Sequence, residues 1–592
     1  MLSSPPFRNK ALHSMESRDD FRSILPFLPL ILRSSAVFWP PSVVEALKSI
    51  SKGPSHSNVN SGQLFALAIA DLRNSLGLSS LYPSTRLGFS LFFDDLMNKD
   101  ETEKWFQQVV PRLADLLLRL PALLESHYQN VGVFNGMETG LRLLESQQSG
   151  IVFLNQVCVC VCEGSCAEIL TSMMWYVDNH VFLHAQISFG LNSEINSISL
   201  LMQCSKPHSL SMRFYLFQEL IAALLVCALF CLFPTTNRGA KHLPPINFDD
   251  LFACLYEYYD VSLENKIKCI VHYFERICSD MPMGNVSFER KVLHLKNSPS
   301  NIVYPEADFW SNSTVSLCQL EVRSAGLIED QLTEALEVDF ANKYIGGGAL
   351  SRGCVQEEIR FMINPELIVS MLIFSSMADN EAIEVVGAER FSNYSGYAKS
   401  FRFSGDYVDK KSVDKMGRRK TRIIAIDALC CPGKRQYGPE YLLRETNKAF
   451  CGFLDQNKRQ QYQMPFEENV FLDQVIENPN DEGEIGVATG NWGCGAFGGD
   501  PEVKVVIQWL AASQAQRPFM LYYTFSLEPL QKLELVVQWI LSQKWTVGDL
   551  WNILVEYSTQ RLRGETTVGL FKWLIPSLYD DDPMVVDVPH TK

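Results

Sequence analysis

The first half of the chain carries apolar residues at the three- and four-residue spacing of helices packed on a core. Residues 61–76, 103–124 and 264–278 show this pattern most clearly. The longest apolar run is 220–233, whose 14 residues fall short of the roughly 20 needed to span a bilayer. We therefore predict a buried core helix here.

From Leu336 onward the pattern changes, and short runs typical of strands alternate with helical ones. The strand-like runs are 336–340, 384–386, 422–428, 484–489 and 519–524. The helix-like stretches between them are 356–361, 437–450, 501–515 and 528–543. Alternation on this scale predicts an α/β domain with a largely buried sheet.

Length and composition indicate more than one structural unit. At 592 residues the chain is too long for one ordinary core, and its 47% hydrophobic and 20% charged residues are typical of globular proteins. We interpret residues 1–250 as a helical accessory domain and residues 251–560 as the α/β domain. Residues 580–592, which begin with three aspartates, are predicted to be a disordered acidic tail.

Residues 157–218 fit neither half. The segment begins with three Val-Cys pairs and ends with Phe-Tyr-Leu-Phe-Gln at 214–218. It could form an edge strand or a cysteine-rich metal loop, although paired C-x-x-C spacing is missing. A third interpretation is a translated intron, because an alternating GT tract encodes Val-Cys and a pyrimidine tract ending in CAG encodes the final residues. We favour the third, in which Gln156 is normally joined to Glu219.

The net charge limits the classes of partner. With 52 basic and 67 acidic residues the charge is −15 at pH 7, which argues against a general nucleic-acid binder. The start of the chain has no apolar stretch typical of a secretory signal. We therefore expect an intracellular protein whose 16 cysteines are mostly buried thiols.

The distribution of histidine excludes several kinds of catalysis from the α/β domain. No histidine lies between Leu295 and Pro589, so Ser-His-Asp triads, Cys-His pairs and H-E-x-x-H zinc sites are absent there. Cys494 has no histidine to activate it, and we interpret it as a buried thiol. Chemistry in this domain must rest on carboxylates and backbone groups.

The densest candidate site is 338–361, where a strand carrying Asp339 runs into Gly346-Gly347-Gly348. After seven more residues, Gln356-Glu357-Glu358 opens a helix. Consecutive glycines allow positive φ and close approach to a ligand, and we expect their N–H groups to be free for a phosphate or a ribose hydroxyl. The helix start adds positive dipole character, although acidic residues there are also ordinary helix stabilisers.

A second glycine-rich stretch, 490–500, contains five glycines in eleven residues, together with Trp492 and Phe497. It lies between a strand and a helix, which suits a loop that wraps a diphosphate and stacks an aromatic ring on the ligand. Two such loops predict a nucleotide-diphosphate site at the carboxyl ends of the strands. Neither matches the NTPase P-loop or the full dinucleotide fingerprint, so an NTPase is excluded and a dehydrogenase is disfavoured.

These motifs resemble those of poly(ADP-ribose) glycohydrolases, and most closely a plant member. The resemblance covers about 250–560 and rests on VDFANKYIGGG, QEEIRFMINPEL, FSNYSGYAKSF, IIAIDAL, NKAFCGFL and ATGNWGCGAFGGD. It implies a macrodomain-like mixed sheet flanked by helices, with an N-terminal all-helical accessory domain. It also implies hydrolysis of the ribose–ribose O-glycosidic bonds of poly(ADP-ribose), releasing ADP-ribose.

The resemblance further implies roles for individual residues. Glu358 is expected to be the general acid and base of an oxocarbenium-like transition state. Glu357 is expected to hold ribose hydroxyls, with Asp339 and Asn342 ordering the loop and the sugar. The expected ligand contacts are Gly346, Gly347 and Gly348 on the ribose, Ile328 and Glu329 on adenine, Gln356 and Tyr397 completing the pocket, and Gly490, Asn491, Gly493, Cys494, Gly495, Ala496 and Phe497 around the diphosphate.

Helix geometry is consistent with this division of roles. Adjacent helical residues point about 100° apart, so Glu357 and Glu358 cannot flank one bond as the usual glycosidase pair does. One acid–base carboxylate and one sugar-orienting carboxylate is the arrangement that we expect.

Two alternatives stay open. One is a catalytically silent ADP-ribose reader, although a reader needs the loops but not the acid. The other is an isoform inactivated by residues 157–218. We expect poly(ADP-ribose), free or on modified proteins, as the partner, with no cofactor, no metal, and no direct DNA or membrane contact. We also expect a monomer of the nucleus and cytoplasm that serves the DNA damage response.

Overall fold

The computed structural model describes residues 28–33, 36–145, 213–235, 243–295, 302–331, 334–455 and 485–579. Most of the anomalous segment, 157–212, and the predicted tail, 580–592, lie outside these residues. The interpretation of both therefore stays a prediction, except that residues 213–218 at the end of the anomalous segment are described below.

The N-terminal region is helical, as the spacing of its apolar residues predicts. It begins with a short antiparallel hairpin of β1 (Ile31–Arg33) and β2 (Ala36–Phe38). The helices that follow are α1 (Pro41–Ser51), α2 (Pro54–Ser57), α3 (Gly62–Ser75), α4 (Pro83–Ser90), α5 (Lys99–Lys104), α6 (Val110–Glu145), α7 (Gln218–Leu229), α8 (Asp249–Glu257) and α9 (Val261–Ser279). Short π-helical segments, Leu91–Leu96 and Trp105–Val109, flank α5.

Local sequence determines where several of these helices begin. Pro41 and Pro83 occupy the first turns of α1 and α4, where a missing N–H breaks no helical hydrogen bond. The Ser61 hydroxyl caps α3 by accepting a hydrogen bond from Leu64 N at 3.2 Å. Pro41, Pro83 and Ser61 thus each mark the start of a helix.

Helix α7 lies at the centre of the N-terminal core and contains most of the longest apolar run. Every residue from Leu220 to Phe233 is buried. Phe230 meets Phe65 of α3 edge to face, with ring centroids 5.0 Å apart, the geometry that aromatic pairs favour. The predicted buried core helix is therefore confirmed. Within the described ranges, no helix combines the length and apolarity that crossing a membrane requires.

The α/β part is built on a mixed sheet that has eight strands in the described part of the chain, in the order β3-β4-β7-β10-β6-β11-β12-β5. These are β3 (Arg213–Phe217), β4 (Asn285–Val292), β5 (Gln319–Arg323), β6 (Ala335–Ala341), β7 (Glu381–Val386), β10 (Arg422–Asp427), β11 (Gly486–Gly490) and β12 (Phe519–Tyr523), while β8 (Ser392–Ser395) and β9 (Arg402–Asp406) form a separate hairpin. β10, β6, β11, β12 and β5 are parallel, and β7, β4 and β3 are antiparallel to their neighbours.

Helices flank this sheet and confirm the α/β fold class. They are α10 (Ala307–Ser311), α11 (Gln356–Ile363), α12 (Ser370–Ile373), α13 (Pro439–Phe453), α14 (Pro501–Gln514), α15 (Leu533–Ser542), α16 (Val547–Arg563) and α17 (Leu570–Leu574). Because the parallel strands point the same way, the carboxyl ends of β6, β11 and β12 meet at one edge of the sheet.

β4 is an interior strand, paired with β3 on one side and β7 on the other, that the sequence pattern did not reveal. It carries Arg290 and Lys291, which resemble solvated charges in the sequence, yet both side chains are buried. Arg290 Nη1 donates to Glu381 Oε2 at 2.7 Å, and Lys291 Nζ donates to the Gly452 carbonyl at 2.8 Å. Buried charges persist when they are paired, so tertiary contacts, rather than local pattern, make this segment a strand.

β3 forms the edge of the sheet and comes from the end of the anomalous segment. Leu216 is opposite Val286 of β4 and is buried. Gln218, the first residue of α7, accepts a hydrogen bond from Gly284 N at 2.7 Å and donates one to Glu366 Oε1 at 2.8 Å. Residues 213–218 are therefore integrated into the sheet through a strand and a buried amide.

Gly88 places α4 directly against α8, and a side chain there should separate the two helices. A Cβ at Gly88 would lie 1.9 Å from the Phe252 carbonyl oxygen. We expect Gly88→Ala to lower the free energy of unfolding by about 2–3 kcal/mol. Leu87→Ala on the same helix is the control, because Leu87 is exposed. Chemical denaturation should show a lower midpoint for Gly88→Ala alone, and equal midpoints would contradict the close packing.

Candidate active site

The first glycine loop, which we define as residues 346–355, leads from β6 into α11. Gly346 and Gly347 have φ of +89° and +49°, values that other residues rarely adopt. A Cβ at Gly347 would lie 2.5 Å from Glu357 Oε2 and 2.7 Å from Glu358 Oε1. Glycine is therefore required both by the backbone conformation and by the two carboxylates beside it.

Glu357 is held by two backbone amides. Its Oε1 accepts from Gly346 N at 2.7 Å, and its Oε2 accepts from Asn342 N at 2.9 Å. The Asn342 side chain in turn accepts from Tyr344 N at 3.0 Å. Asn342 therefore stabilises the segment that enters the loop, and Glu357, which is buried, has a single fixed orientation.

Glu358 has its own pair of amides. Its Oε1 accepts from Gly348 N at 2.9 Å, and its Oε2 accepts from Val355 N at 2.8 Å. Hydrogen bonds to a carboxylate are stronger than those between neutral groups. The loop thus orients each glutamate separately, which agrees with different tasks for the two carboxylates.

The expectation that the amides of the three glycines are free for a ligand is wrong. Gly346 N and Gly348 N donate to the glutamates, and Gly347 N donates to the Tyr344 carbonyl at 3.0 Å. A loop that buries two carboxylates must supply them with donors. These amides therefore build the site rather than bind phosphate.

Asp339 on β6 is buried beside the glutamates. Neither of its carboxyl oxygens has a hydrogen-bond partner in the described part of the chain. Burial raises the pKa of Asp339 to about 7, Arg360 opposes the rise, and Glu358 adds to it. Burial, Asp339 and Glu358 likewise raise the pKa of Glu357 well above its usual range. At neutral pH the cluster therefore retains a proton.

Gln356 acts on the strand that carries Asp339. Its Oε1 accepts from Phe340 N at 2.8 Å, and its Nε2 donates to the Val338 carbonyl at 3.1 Å. β11 pairs with β6 only up to Glu337. Beyond Glu337, the Gln356 side-chain amide therefore makes the hydrogen bonds to β6 that a neighbouring strand would otherwise make. The predicted contact of Gln356 with a ligand stays a prediction.

Ile328 and Glu329 lie in a 3-10 turn, Ile328–Asp330, and both are buried. The Tyr394 hydroxyl donates to Glu329 Oε1 at 2.5 Å. Burial and Glu329 raise the pKa of Tyr394, so the hydroxyl keeps its proton and remains a donor. Tyr394 is not among the residues that we expected to contact the ligand, whereas Tyr397 is. The position of Tyr394, three residues before Tyr397, was the signal in the sequence that could have identified it.

Arg360 lies among these acidic groups, a role that the sequence pattern did not reveal. Its Nη2 donates to Glu337 Oε2 at 2.5 Å. Burial lowers the pKa of Arg360, but the charges of Glu337, Glu329 and Asp339 outweigh this and raise the pKa. Arg360 is therefore a buried cation between the Glu329 turn and β6.

Tyr397 stands at the opening of the site. Its side chain is about half exposed, at 54%. Burial of the remainder and the charge of Glu358 raise its pKa, which places the phenol near α11. It is the one aromatic ring among the predicted site residues that presents a large exposed surface beside Glu358.

The second glycine loop, residues 490–500, begins at the carboxyl end of β11. The Asn491 side chain donates to the Thr524 carbonyl at 3.0 Å and accepts from the Tyr522 hydroxyl at 3.2 Å. Asn491 therefore fixes the loop to β12. A Cβ at Gly490 would lie 3.5 Å from the ring of Phe340 on β6, so the loop begins next to the strand that carries Asp339.

Backbone donors are available in the middle of this loop. Among the described residues, the amides of Gly495, Ala496 and Phe497 donate to no protein acceptor, and Gly495 and Ala496 are exposed. Gly493 has φ of +73°, and a Cβ there would lie 2.5 Å from the Ala428 side chain. Consecutive free amides form a concavity suited to an anion.

Trp492 and Cys494 do not present reactive or stacking groups. Trp492 is fully buried, and its Nε1 donates to the Ile426 carbonyl at 2.9 Å, so the expectation that it could stack on a ligand is wrong. Burial raises the pKa of Cys494 far above its usual value. Cys494 is only partly buried, and its Sγ donates to the Trp492 carbonyl at 3.4 Å; its expected contact with the ligand stays a prediction.

Within the described ranges, no three histidine, cysteine, aspartate or glutamate side chains are arranged to hold a metal ion. The functional groups instead comprise a buried carboxylate cluster on one glycine loop and free amides on another, at neighbouring carboxyl ends of parallel strands. Together with the mixed sheet and helical N-terminal region, this arrangement agrees with the macrodomain-like fold that the sequence motifs imply, and it places the two predicted loops at the same edge of the sheet.

Comparison with known families assigns the chain more narrowly. Residues 307–532 match the family model described as "Poly (ADP-ribose) glycohydrolase (PARG), Macro domain fold". Residues 97–162 and 170–290 match the model described as "Poly (ADP-ribose) glycohydrolase (PARG), helical domain". The chain belongs to the poly(ADP-ribose) glycohydrolase family.

Plant relatives are similar along nearly the whole chain. Poly(ADP-ribose) glycohydrolase 1 of Arabidopsis thaliana is 50% identical, over 95% of this chain and 98% of the relative. Probable poly(ADP-ribose) glycohydrolase 2 of the same plant is 47% identical, over 95% and 100%. Poly(ADP-ribose) glycohydrolase 1 of Caenorhabditis elegans is 32% identical, over 49% and 35%. The resemblance to a plant member is confirmed.

The raised pKa of Asp339 predicts a pH dependence of stability. The pKa is raised from 3.8 to about 7, so between these values the native state binds a proton that the unfolded chain has released. Stability from this group is therefore lost as pH rises from 4 to 7, by up to roughly 4 kcal/mol. Asp339→Asn should flatten this slope in denaturant unfolding at pH 4, 5.5 and 7. Asp308→Asn, at an exposed position, is the control, and parallel slopes for wild type and Asp339→Asn would refute the assignment.

Proposed function

We propose that this member of the family hydrolyses the ribose–ribose O-glycosidic bond of poly(ADP-ribose) with Glu358 as the general acid and base. The observation that carries the proposal is the pair of amides, Gly348 N and Val355 N, that fixes the Glu358 carboxylate. A proton donor must be oriented within hydrogen-bond reach of the leaving oxygen, and this cradle supplies the orientation.

In this mechanism protonated Glu358 gives its proton to the oxygen that leaves the anomeric carbon as their bond breaks. The ribose then carries oxocarbenium character. The Glu358 carboxylate next accepts a proton from water, whose oxygen bonds to the anomeric carbon. The products are ADP-ribose and a polymer ending in a free hydroxyl, and Glu358 is again protonated.

Glu357 and Asp339 support this step. Each Glu357 oxygen uses one lone pair on a backbone amide, and the other lone pairs can accept from ribose hydroxyls. Asp339 lies buried next to both glutamates without a hydrogen-bond partner among the described residues. Its raised pKa keeps additional negative charge away from Glu358.

Recognition of the rest of the ligand uses backbone amides, apolar side chains and one carboxylate. The free amides of Gly495, Ala496 and Phe497 suit the diphosphate, with the Phe497 ring against the ligand. Ile328 contacts adenine, and Glu329 accepts from its exocyclic amine with Oε2, because Oε1 is occupied by Tyr394. Backbone donors account for how a protein of charge −15 holds a polyanion without a positive surface.

The reader hypothesis is the second candidate, and exchange of the acid separates it from the hydrolase. We expect Glu358→Gln to lower the release of ADP-ribose from purified poly(ADP-ribose) by at least about 100-fold, with the Kd for ADP-ribose changed less than threefold. Glu357→Gln is the matched control, because it also replaces one amide-accepting oxygen but leaves the acid. It should mainly raise KM.

Equal activity of Glu358→Gln and wild type would remove Glu358 as the acid. A wild-type chain that binds ADP-ribose but releases none from the polymer would establish the reader instead.

We further propose that the chain acts as a monomer in the nucleus and cytoplasm, in the response to DNA damage, without contacting DNA or a membrane. The net charge of −15 and the use of amides rather than basic side chains at the second glycine loop support the absence of DNA binding. Gel filtration with light scattering tests the monomeric state, fractionation of cells tests the location, and a duplex-DNA binding assay tests the absence of DNA contact.

Residues 157–218 are, in our proposal, dispensable for the fold, as expected of a translated intron. Residues 151–156 (IVFLNQ) and 213–218 (RFYLFQ) both place Leu two residues before Gln. Removing 157–218 joins Gln156 to Glu219, so Leu154 and Gln156 take the chain positions of Leu216 and Gln218. Those are the two side chains that fix β3 and the start of α7.

Two deletions of equal length test this proposal. One removes 157–218 and the other removes 151–212, which are 62 residues each (218 − 157 + 1 and 212 − 151 + 1). We expect both chains to melt cooperatively at similar temperatures and to release ADP-ribose. Gln156→Ala within the first deletion and Gln218→Ala within the second should each lower the free energy of unfolding by about 2 kcal/mol, because each removes the one glutamine left to occupy that position.

Loss of folding in the first deletion alone would show that 151–156 cannot replace β3. Activity of both deletions but not of the full chain would identify this sequence as an inactive isoform. Transcripts in which the codons for Gln156 and Glu219 are never adjacent would remove the intron hypothesis.

A further inference from the structure

Lys266 is a fully buried lysine of α9, within the part of the chain that matches the helical-domain model. Its Nζ donates to the carbonyls of Gly348 at 3.2 Å, Ser351 at 2.8 Å and Gly353 at 2.5 Å. An ammonium group has three donors, and all three are used on one short segment. That segment is the first glycine loop.

The same segment forms one side of the Glu358 cradle. Gly348, whose carbonyl accepts from Lys266, donates its amide to Glu358 Oε1 at 2.9 Å. A Cβ at Gly353 would lie 2.6 Å from that oxygen. A displacement of the Lys266 contacts therefore moves the backbone groups that touch Glu358.

The loop needs a cation at this point because its carbonyls converge. Gly348 O also accepts from the amides of Ser351 and Gly353, so the turn closes on itself and directs three carbonyl dipoles inward. Without Lys266 these oxygens would be buried with fewer hydrogen-bond donors, which would lower the stability of the folded state.

The surroundings keep a charge on this lysine at neutral pH. Burial lowers the pKa of Lys266 to about 8, and nearby Cys354, Glu358, Cys254 and Asp250 oppose the shift. Lys266 thus lies between Cys254 and Asp250 of α8 on one side and Cys354 and Glu358 on the other.

We propose that Lys266 is a positioning residue for catalysis: α9 holds the first glycine loop through this ammonium group and thereby orients Glu358. The proposal rests on the assignment of Glu358 as the acid. It explains why the helical region and the macrodomain occur together in one folded unit, since the helical part supplies a structural element of the active-site loop.

Lys266→Met in the full chain tests the proposal, with Lys291→Met as the matched control. Lys291 is also buried and donates to two backbone carbonyls, those of Gly452 and Leu454 at 2.8 and 2.7 Å, which lie at the C-terminal end of α13 and outside the first glycine loop. Both substitutions remove a buried ammonium from backbone carbonyls, so both should lower the melting temperature. Only Lys266→Met should lower kcat for ADP-ribose release, by at least about tenfold, with KM and the Kd for ADP-ribose within threefold of wild type.

Lys266→Gln keeps two N–H donors and provides a second readout if Lys266→Met does not fold. Its kcat should lie between those of wild type and Lys266→Met, or below wild type if only the Gln variant folds. Wild-type kcat in either folded Lys266 variant would overturn the proposal, as would equal losses of kcat in the Lys266 and Lys291 variants. Glu358→Gln is assayed in parallel, because its full activity would show that the acid, rather than Lys266, is misassigned.

Discussion

The hydrogen bonds from four backbone amides to Glu357 and Glu358 constrain everything around the cleft. Two buried carboxylates on successive residues need donors on both sides, and side chains large enough to supply them would not fit beside Gly347. The chain meets this requirement with a turn of three glycines that brings the backbone itself into contact. The positive φ of Gly346 and Gly347 follows from that packing, and Asp339, which has no hydrogen-bond partner in the described part of the chain, is buried beside the two glutamates.

In this site, the groups that orient the carboxylates are backbone amides, which carry no net charge. Neutral amides hold the two glutamates. In the proposed function, the acidic side chains do the chemistry and further amides hold the diphosphate. The second glycine loop leaves the amides of Gly495, Ala496 and Phe497 without protein acceptors in the described ranges. An acidic protein can therefore bind a polyanion locally, because hydrogen bonds at short range replace a long-range positive field.

The helical region contributes to the catalytic part in two places. β3 and α7 join the sheet edge to the helical core through Leu216 and Gln218, and Lys266 joins α9 to the first glycine loop. Both contacts pair buried polar groups across the two parts of the fold. Loss of either contact would leave a buried polar group without a hydrogen-bond partner. We therefore expect the helical region and the α/β part to depend on each other for stability.

The sequence by itself determined the helical spacing of the first half, the five parallel or antiparallel strands with apolar character, and the family motifs around Glu357 and Glu358. It did so because periodicity and glycine placement are local properties. Only the tertiary structure showed that β4 is an interior strand despite its charges, that the amides of Gly346 and Gly348 donate to the glutamates rather than to a ligand, and that Trp492 is core. It also revealed Tyr394, Arg360 and Lys266, because the roles of these residues depend on partners distant in the chain, which a linear pattern does not record.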